Sequence, residues 1–536
     1  MISKSLTKIA FSLVCASWVV FPALPQEKLL SPGRPMEKAI DHYISQGWKE
    51  KKIQPAQPAS AETWLRRITL DLEGRISTPE EVQAFINDPS ADKKMKVIEN
   101  LMKSPAYLRH QTREFENLLM NGSRGALQTY LTKALGENRP WDRIFKELMV
   151  ADESVEQTKG SSEYLKARIK DLDRLTTDVS VAFFGVNVSC AQCHNHPLVH
   201  DWTQDHFYGM KSFFSRTFEA GNYLGEREFG VVKFLPNKGK EKQAEFMFLT
   251  GKKVTPPGMT EPSKEEQKKE KELLEKLKKD KTPPPPAKVS TRAMLVDIAL
   301  GANDRGFFSK AIVNNLWHRF YGHGLVMPLD QMHSENPSSH PELLEWLARD
   351  FAAHGYDLNR LVKGLVASEA YGLSSRFVGE SSPLAKDFAV ARLRPLTPMQ
   401  MAVSLRLAGQ QIPLKETAKR VEEADRGARG LADQFQQPGD DFQIGVTEAL
   451  FLANSPRFIS ECLPEGADKL VTAMAKLPSS QEQAARAVLS VLSRTASDNE
   501  KAVIASYLTQ HASNPLEGCK QVVWSLMTSP EFRFNH

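Results

Sequence analysis

Cysteine is scarce in this 536-residue chain: Cys15 sits in the apolar start, leaving only Cys190, Cys193, Cys462 and Cys519. Four thiols cannot staple a chain of this length, so hydrophobic cores must hold it rather than a disulfide framework. Glycine and proline, 30 and 32 residues, are too few for a collagen-like or wholly disordered protein. Excess charge is small as well. The formal net charge is +5, falling to about +3 if the start bearing Lys4 and Lys8 is removed, which gives no electrostatic case for a nucleic-acid partner. Beyond the start, no apolar run reaches the roughly 20 residues that cross a bilayer, so no stable membrane span is expected after leader cleavage. Walker loops, dinucleotide fingerprints, His-Glu-x-x-His and Gly-x-Ser-x-Gly are all missing. Acid pairs such as Asp71 with Glu73 are ordinary in a chain with 65 acids, and no catalytic residue is assigned.

What is present reads as globular: 41% of residues are hydrophobic and 25% charged. At roughly 100 to 200 residues per domain, the length fits two to four domains. The chain starts with Lys4 and Lys8 and no acid, continues through the apolar stretch 9–21, and then reaches Pro22-Ala23-Leu24-Pro25-Gln26. That order predicts a secretory signal peptide over 1–25 and an exported protein of the periplasm or cell envelope.

The rest is dominated by helical periodicity with well-made starts. Thr78-Pro79-Glu80-Glu81, Ser339-His340-Pro341-Glu342 and Thr397-Pro398-Met399-Gln400 each place a hydroxyl residue three before Glu or Gln, the pattern of a capping box. Gly355 is a natural stop for the helix after Ser339. A second pattern runs Ser104-Pro105-Ala106-Tyr107, Ser368-Glu369-Ala370-Tyr371, Ser455-Pro456-Arg457-Phe458 and Ser529-Pro530-Glu531-Phe532. It reads as helix-to-helix corners in which Ser caps, Pro opens the next helix and the aromatic anchors the turn. Short apolar runs near 228–254 predict a small β-hairpin segment. A Lys/Glu-rich and Pro-rich tether over 256–290 then separates a helical domain at 36–255 from a second helical domain at 291–536. The expected fold class is therefore mainly α, with two helical domains.

One motif carries chemistry. Cys190-Ala191-Gln192-Cys193-His194 is Cys-x-x-Cys-His, the attachment signature of c-type haem. Two thiols at this spacing can form thioethers to the two vinyl groups, and the following imidazole becomes the proximal iron ligand. His196, His200, Asp201, Asp205 and His206 lie close behind. Besides haem c on Cys190, Cys193 and His194, the residues allow a zinc site on the two cysteines with two of His196, His200 and His206. A Cys190–Cys193 disulfide is the third reading. For a haem, His318, His323, His333, His340 and Met210 are candidate distal ligands. The two functional classes that follow are an exported redox module with an electron partner not named by the sequence, and a non-redox binding or scaffold protein of the cell envelope with a structural Cys/His metal.

Cys190-Ala-Gln-Cys-His-Asn-His-Pro197 with Asp201-Trp202-Thr203-Gln204, together with Arg66-Arg67-Ile68-Thr69-Leu70-Asp71-Leu72-Glu73-Gly74, resembles the planctomycete cytochrome-like domain family. The stretch Asn314 to Val326, then Ser339-His340-Pro341-Glu342, Arg394-Pro395-Leu396-Thr397-Pro398 and the closing Trp524 to His536 resemble the planctomycete-specific domain that accompanies it. The resemblance implies an exported, mainly helical, two-module protein whose activity is not established. The chain departs from the pattern at Asn315, Glu73 and His206-Phe207, so a family-wide ligand role does not extend to His206.

Overall fold

A computed structural model describes residues 29–536 except 124, 196–198, 256–260, 303, 440 and 441. The expected leader at 1–25 lies outside the described residues. The fold is mainly α, a succession of short helices with small antiparallel hairpins.

Helices begin where side-chain chemistry sets them. Thr78 and Thr397 form complete capping boxes with Glu81 and Gln400, each followed by a proline whose missing N–H would go unused there anyway. Ser339 behaves differently from the expectation. Helix Pro341–Ala353 takes His340 as its N-cap with no side-chain capping bond, because Ser339 instead donates through both Oγ and N to Leu325 O. This helix ends at His354, and Gly355 follows in the left-handed region, as its sequence suggested. Three of the four corners join helix to helix: Ser104 and Ser529 accept from the N–H of Tyr107 and Phe532, while Ser455 caps by position without a side-chain bond. Ser368 accepts from Tyr371 N in the same way, but it ends helix Leu358–Ala367 in a turn that no helix follows, since without a proline nothing opens one there. All four aromatic anchors are buried.

Two hairpins stand in the expected segment, Lys233–Phe234 with Lys242–Gln243 and Phe246–Met247 with Lys253–Val254. A third, Thr217–Ala220 with Tyr223–Glu226, precedes them and turns on Gly221-Asn222, with Gly221 at φ +61°. That Gly-Asn pair is a hairpin signal the sequence reading passed over. The charged run forms helix Lys264–Asp280, opened by a Ser263–Glu266 capping box and with no buried residue.

Apolar packing divides the chain at a different place from composition. One core gathers residues from Met36 to Phe388 on both sides of the charged helix, with Trp141, Phe145, Phe183 and Phe308 at its centre. Phe145 and Phe308 are 5.1 Å apart between ring centroids. A second core, from Leu396 to Phe532, also takes in Leu70, Ile76 and Ala106. Helix Ala61–Glu73 lies between them: Leu65, Ile68 and Leu72 belong to the first core and Leu70 to the second.

Every residue of that helix from Trp64 to Glu73 is buried, so its charged side chains need internal partners. Arg66 donates to the carbonyls of Val491 and Phe532. Arg67 donates to those of Tyr371, Leu373 and His536. Asp71 accepts from Tyr371 Oη, Asn535 Nδ2 and both terminal nitrogens of Arg394. A two-residue pairing of Arg394–Pro395 with Phe534–Asn535 brings the last residues alongside. Three of the stretches that carried the family resemblance, 66–74, 394–398 and 524–536, thus meet at one largely buried polar junction.

Candidate functional site: the cysteine turn

Helix Leu172–Phe184 stops at Gly185, in the left-handed conformation at φ +66°. The chain then crosses to the second module. Val186 bridges Gln331, Asn187 N donates to Asp330 O at 2.8 Å, and Asn187 Nδ2 donates to Asp330 Oδ2 at 2.9 Å. From there it enters a single 3-10 turn, Ser189–Gln192.

In so short a turn the inward positions are Val188 and Ala191, both buried, which leaves Cys190, Cys193 and His194 exposed. Both thiols are free. His194 Nδ1 is 2.7 Å from Asn195 O. A carbonyl can only accept, so Nδ1 carries the proton, and in the neutral ring Nε2 then presents the lone pair, the tautomer that ligates a metal.

The turn is held from beneath by the next helix, Gln204–Ser212. Gln204 Nε2 donates to the carbonyls of Gln192 (3.4 Å) and Cys193 (3.2 Å), and its backbone N donates to Asn195 Oδ1. Tyr208, stacked on Phe234 at 4.1 Å, donates its hydroxyl to Gln192 O. Asp173 accepts from Gln192 Nε2 and pairs with Lys211. Sequence reading missed this clamp. Gln and Tyr one turn apart after a cysteine motif are visible, but only the fold shows that they reach back to it.

The other predicted ligands are placed variously. His196 lies outside the described residues. His200 is exposed. His206 serves the helix start: its Nδ1 accepts from Thr203 N (3.3 Å) and lies 2.9 Å from Thr203 Oγ1, so the proton sits on a buried Nε2. Burial, the largest influence, pushes its pKa below that of an ordinary histidine. Asp201 is engaged by Ser334, whose N and Oγ both donate to it at 2.8 Å. Among the described residues, no group of three or more His, Cys, Asp or Glu side chains is placed to hold a metal ion.

Of the distal candidates, His333 stands in the segment 330–334 that bonds to both flanks of the turn. Met210 is fully buried in its helix. His323 and His340 both face Phe388 at the other module, and His318 belongs to helix Arg305–Tyr321.

The class so defined is a mainly helical, two-module protein that displays a Cys-x-x-Cys-His turn at its surface. Residues 39–219 match the PSCyt2 model, described as a protein of unknown function (DUF1549), and residues 291–427 match PSD1, a protein of unknown function (DUF1553). Together the two matches span more than half of the chain, and the protein belongs to the family that joins these two modules. No curated protein and no solved structure matches it.

Proposed function

We propose that the protein is exported and carries one covalent c-type haem on Cys190 and Cys193, with His194 as proximal ligand, acting in electron transfer in the cell envelope. The observation that carries this reading is the display of two free, exposed thiols and an Nε2 lone pair on one clamped turn. Bound there, the haem would supply a reversible one-electron change at iron. The chain's own part is to present the turn: Gln204, Tyr208 and Asp173 hold its carbonyls and side chain, while Asn187 and Asp201 fasten its flanks to the second module. The second module is a platform in this reading. Among the described residues no helix is long and apolar enough to cross a membrane.

The test is expression of the full chain, leader included, in a host with working haem-ligation machinery, followed by cell fractionation and haem staining of a denaturing gel. Stain in the exported fraction, lost in a Cys190→Ser/Cys193→Ser variant, supports the proposal, because thioether-bound haem survives denaturation. A colourless exported protein overturns it, and zinc in that protein would replace it with a structural metal site.

A further inference from the structure

The cysteine turn is joined to a hairpin. Gln204, whose Nε2 holds Cys193 O at 3.2 Å, accepts through Oε1 from Asn237 N at 3.0 Å. Tyr208 couples the same two parts, with its hydroxyl donating to Gln192 O at 3.1 Å and its ring stacked on Phe234 at 4.1 Å. A single side-chain amide thus spans from the backbone of the turn to the loop between Lys233–Phe234 and Lys242–Gln243, a gap of under about 10 Å. A protein that approaches the exposed Cys190, Cys193 and His194 comes within reach of that loop as well.

The loop reads Leu235-Pro236-Asn237-Lys238-Gly239-Lys240-Glu241. Leu235 is 67% exposed. Lys233, Lys238 and Lys240 are exposed and make no ion pair among the described residues. The carboxylates beside the turn are engaged elsewhere: Asp205 pairs with Lys242, Asp173 with Lys211, and Asp171 caps its helix. Glu241 is the one acid of the loop. The whole chain carries a small net charge, so this excess is local. An exposed apolar side chain among cations that nothing neutralises has the make-up of a recognition surface, with an apolar centre and a charged rim.

We propose that this hairpin is the docking surface for an acidic, exported protein that carries one electron and exchanges it with the site on the cysteine turn, no atoms being transferred. The assignment rests on the haem reading of that turn. A cationic rim steers a carrier with an acidic face towards the turn and repels a basic one.

The test has two arms, both on the full chain. In the first, fluorescent poly-L-glutamate is titrated with the protein at low salt and followed by anisotropy. Binding is expected to weaken about tenfold in Lys233→Gln/Lys238→Gln/Lys240→Gln. It should stay at the parent value in Lys268→Gln/Lys276→Gln/Lys279→Gln, which removes the same charge from the solvated helix. In the second, the reduced protein is oxidised in stopped flow by ferricyanide, an anion, and by tris(phenanthroline)cobalt(III), a cation. The hairpin variant should slow the anion alone, by about tenfold, and salt should erase the difference. Unchanged poly-glutamate binding in the hairpin variant, or unchanged rates with both oxidants, overturns the proposal. Capture on phosphatidylglycerol vesicles without binding of poly-glutamate overturns it too, in favour of a lipid surface. A colourless protein instead brings down the haem reading and the electron carrier with it, while the first arm still reports whether the hairpin holds an acidic polypeptide.

Discussion

Arg394 lies in a fork-to-fork pair with Asp71, Nη1 to Oδ1 and Nη2 to Oδ2, both at 2.7 Å. Asp71 belongs to the helix that sits between the two cores, and Arg394 opens the stretch that leads into the second core. The pair is the ionic centre of the junction where the modules meet. Two parallel bonds to a carboxylate that also receives Tyr371 and Asn535 leave little of its acceptor capacity unused.

Breaking this pair from one side strands a charge. Asp71→Asn is expected to lower unfolding stability by about 2 to 4 kcal/mol, read from urea titration, because the Arg394 guanidinium, 18% exposed, stays mostly out of water without its counter-ion. A double change to apolar residues of similar size should recover much of that loss. A single variant as stable as the parent would show the pair to be energetically idle.

Gly74 ends the same helix at φ +72°, and a Cβ added there would come within 2.6 Å of the His110 ring. Gly74→Ala therefore meets both backbone strain and a buried imidazole. A loss of roughly 1 to 3 kcal/mol is expected from the backbone alone. Thermal unfolding checks it, with Gly33→Ala, where the added methyl meets nothing, as the control.

His340 is held neutral: burial first, then Lys51, pushes its pKa down to about 4 from 6.5. The unfolded chain takes up this proton near pH 6.5 and the folded protein only near 4. Stability should therefore be intact above 6.5, fall as pH drops through that window, and level off below it, by an amount on the order of 3 kcal/mol. His536, lowered to about 4 by burial and then by Arg66, acts in the same direction. His340→Gln should flatten the stability profile between pH 7 and 4 in part. An unchanged slope would remove His340 from the account.

The helix Lys264–Asp280 buries nothing. Exchanging it for a Gly/Ser chain of equal length should cost little stability beside the loss of a core contact, since no apolar surface is uncovered. Calorimetry would detect a larger loss, which would mean that its contacts through Glu270 to Glu228 N hold the hairpins in place.

Several features were legible because their causes are local. The Thr78 and Thr397 boxes and the Ser-Pro corners depend on residues within a turn or two of one another. The Ser339 start was misread for the opposite reason, since its competitor, Leu325 O, lies in another loop. Likewise, Cys-x-x-Cys-His could be seen in the chain, whereas the clamp on it joins Asp173, Gln192, Gln204 and Tyr208 from three elements.

By itself the order of residues determined that the protein is mainly helical, where many of its helices start, and that two thiols and an imidazole share one short turn. Each of those follows from spacing along the backbone. Only the tertiary structure decided that Arg66, Arg67 and Asp71 are interior groups and that the two cores divide near residue 390. Such outcomes depend on partners hundreds of residues away. A charged residue on a helix reads alike whether it faces water or a distant carbonyl, and the difference is made when apolar surfaces close around it and make an unpaired charge costly.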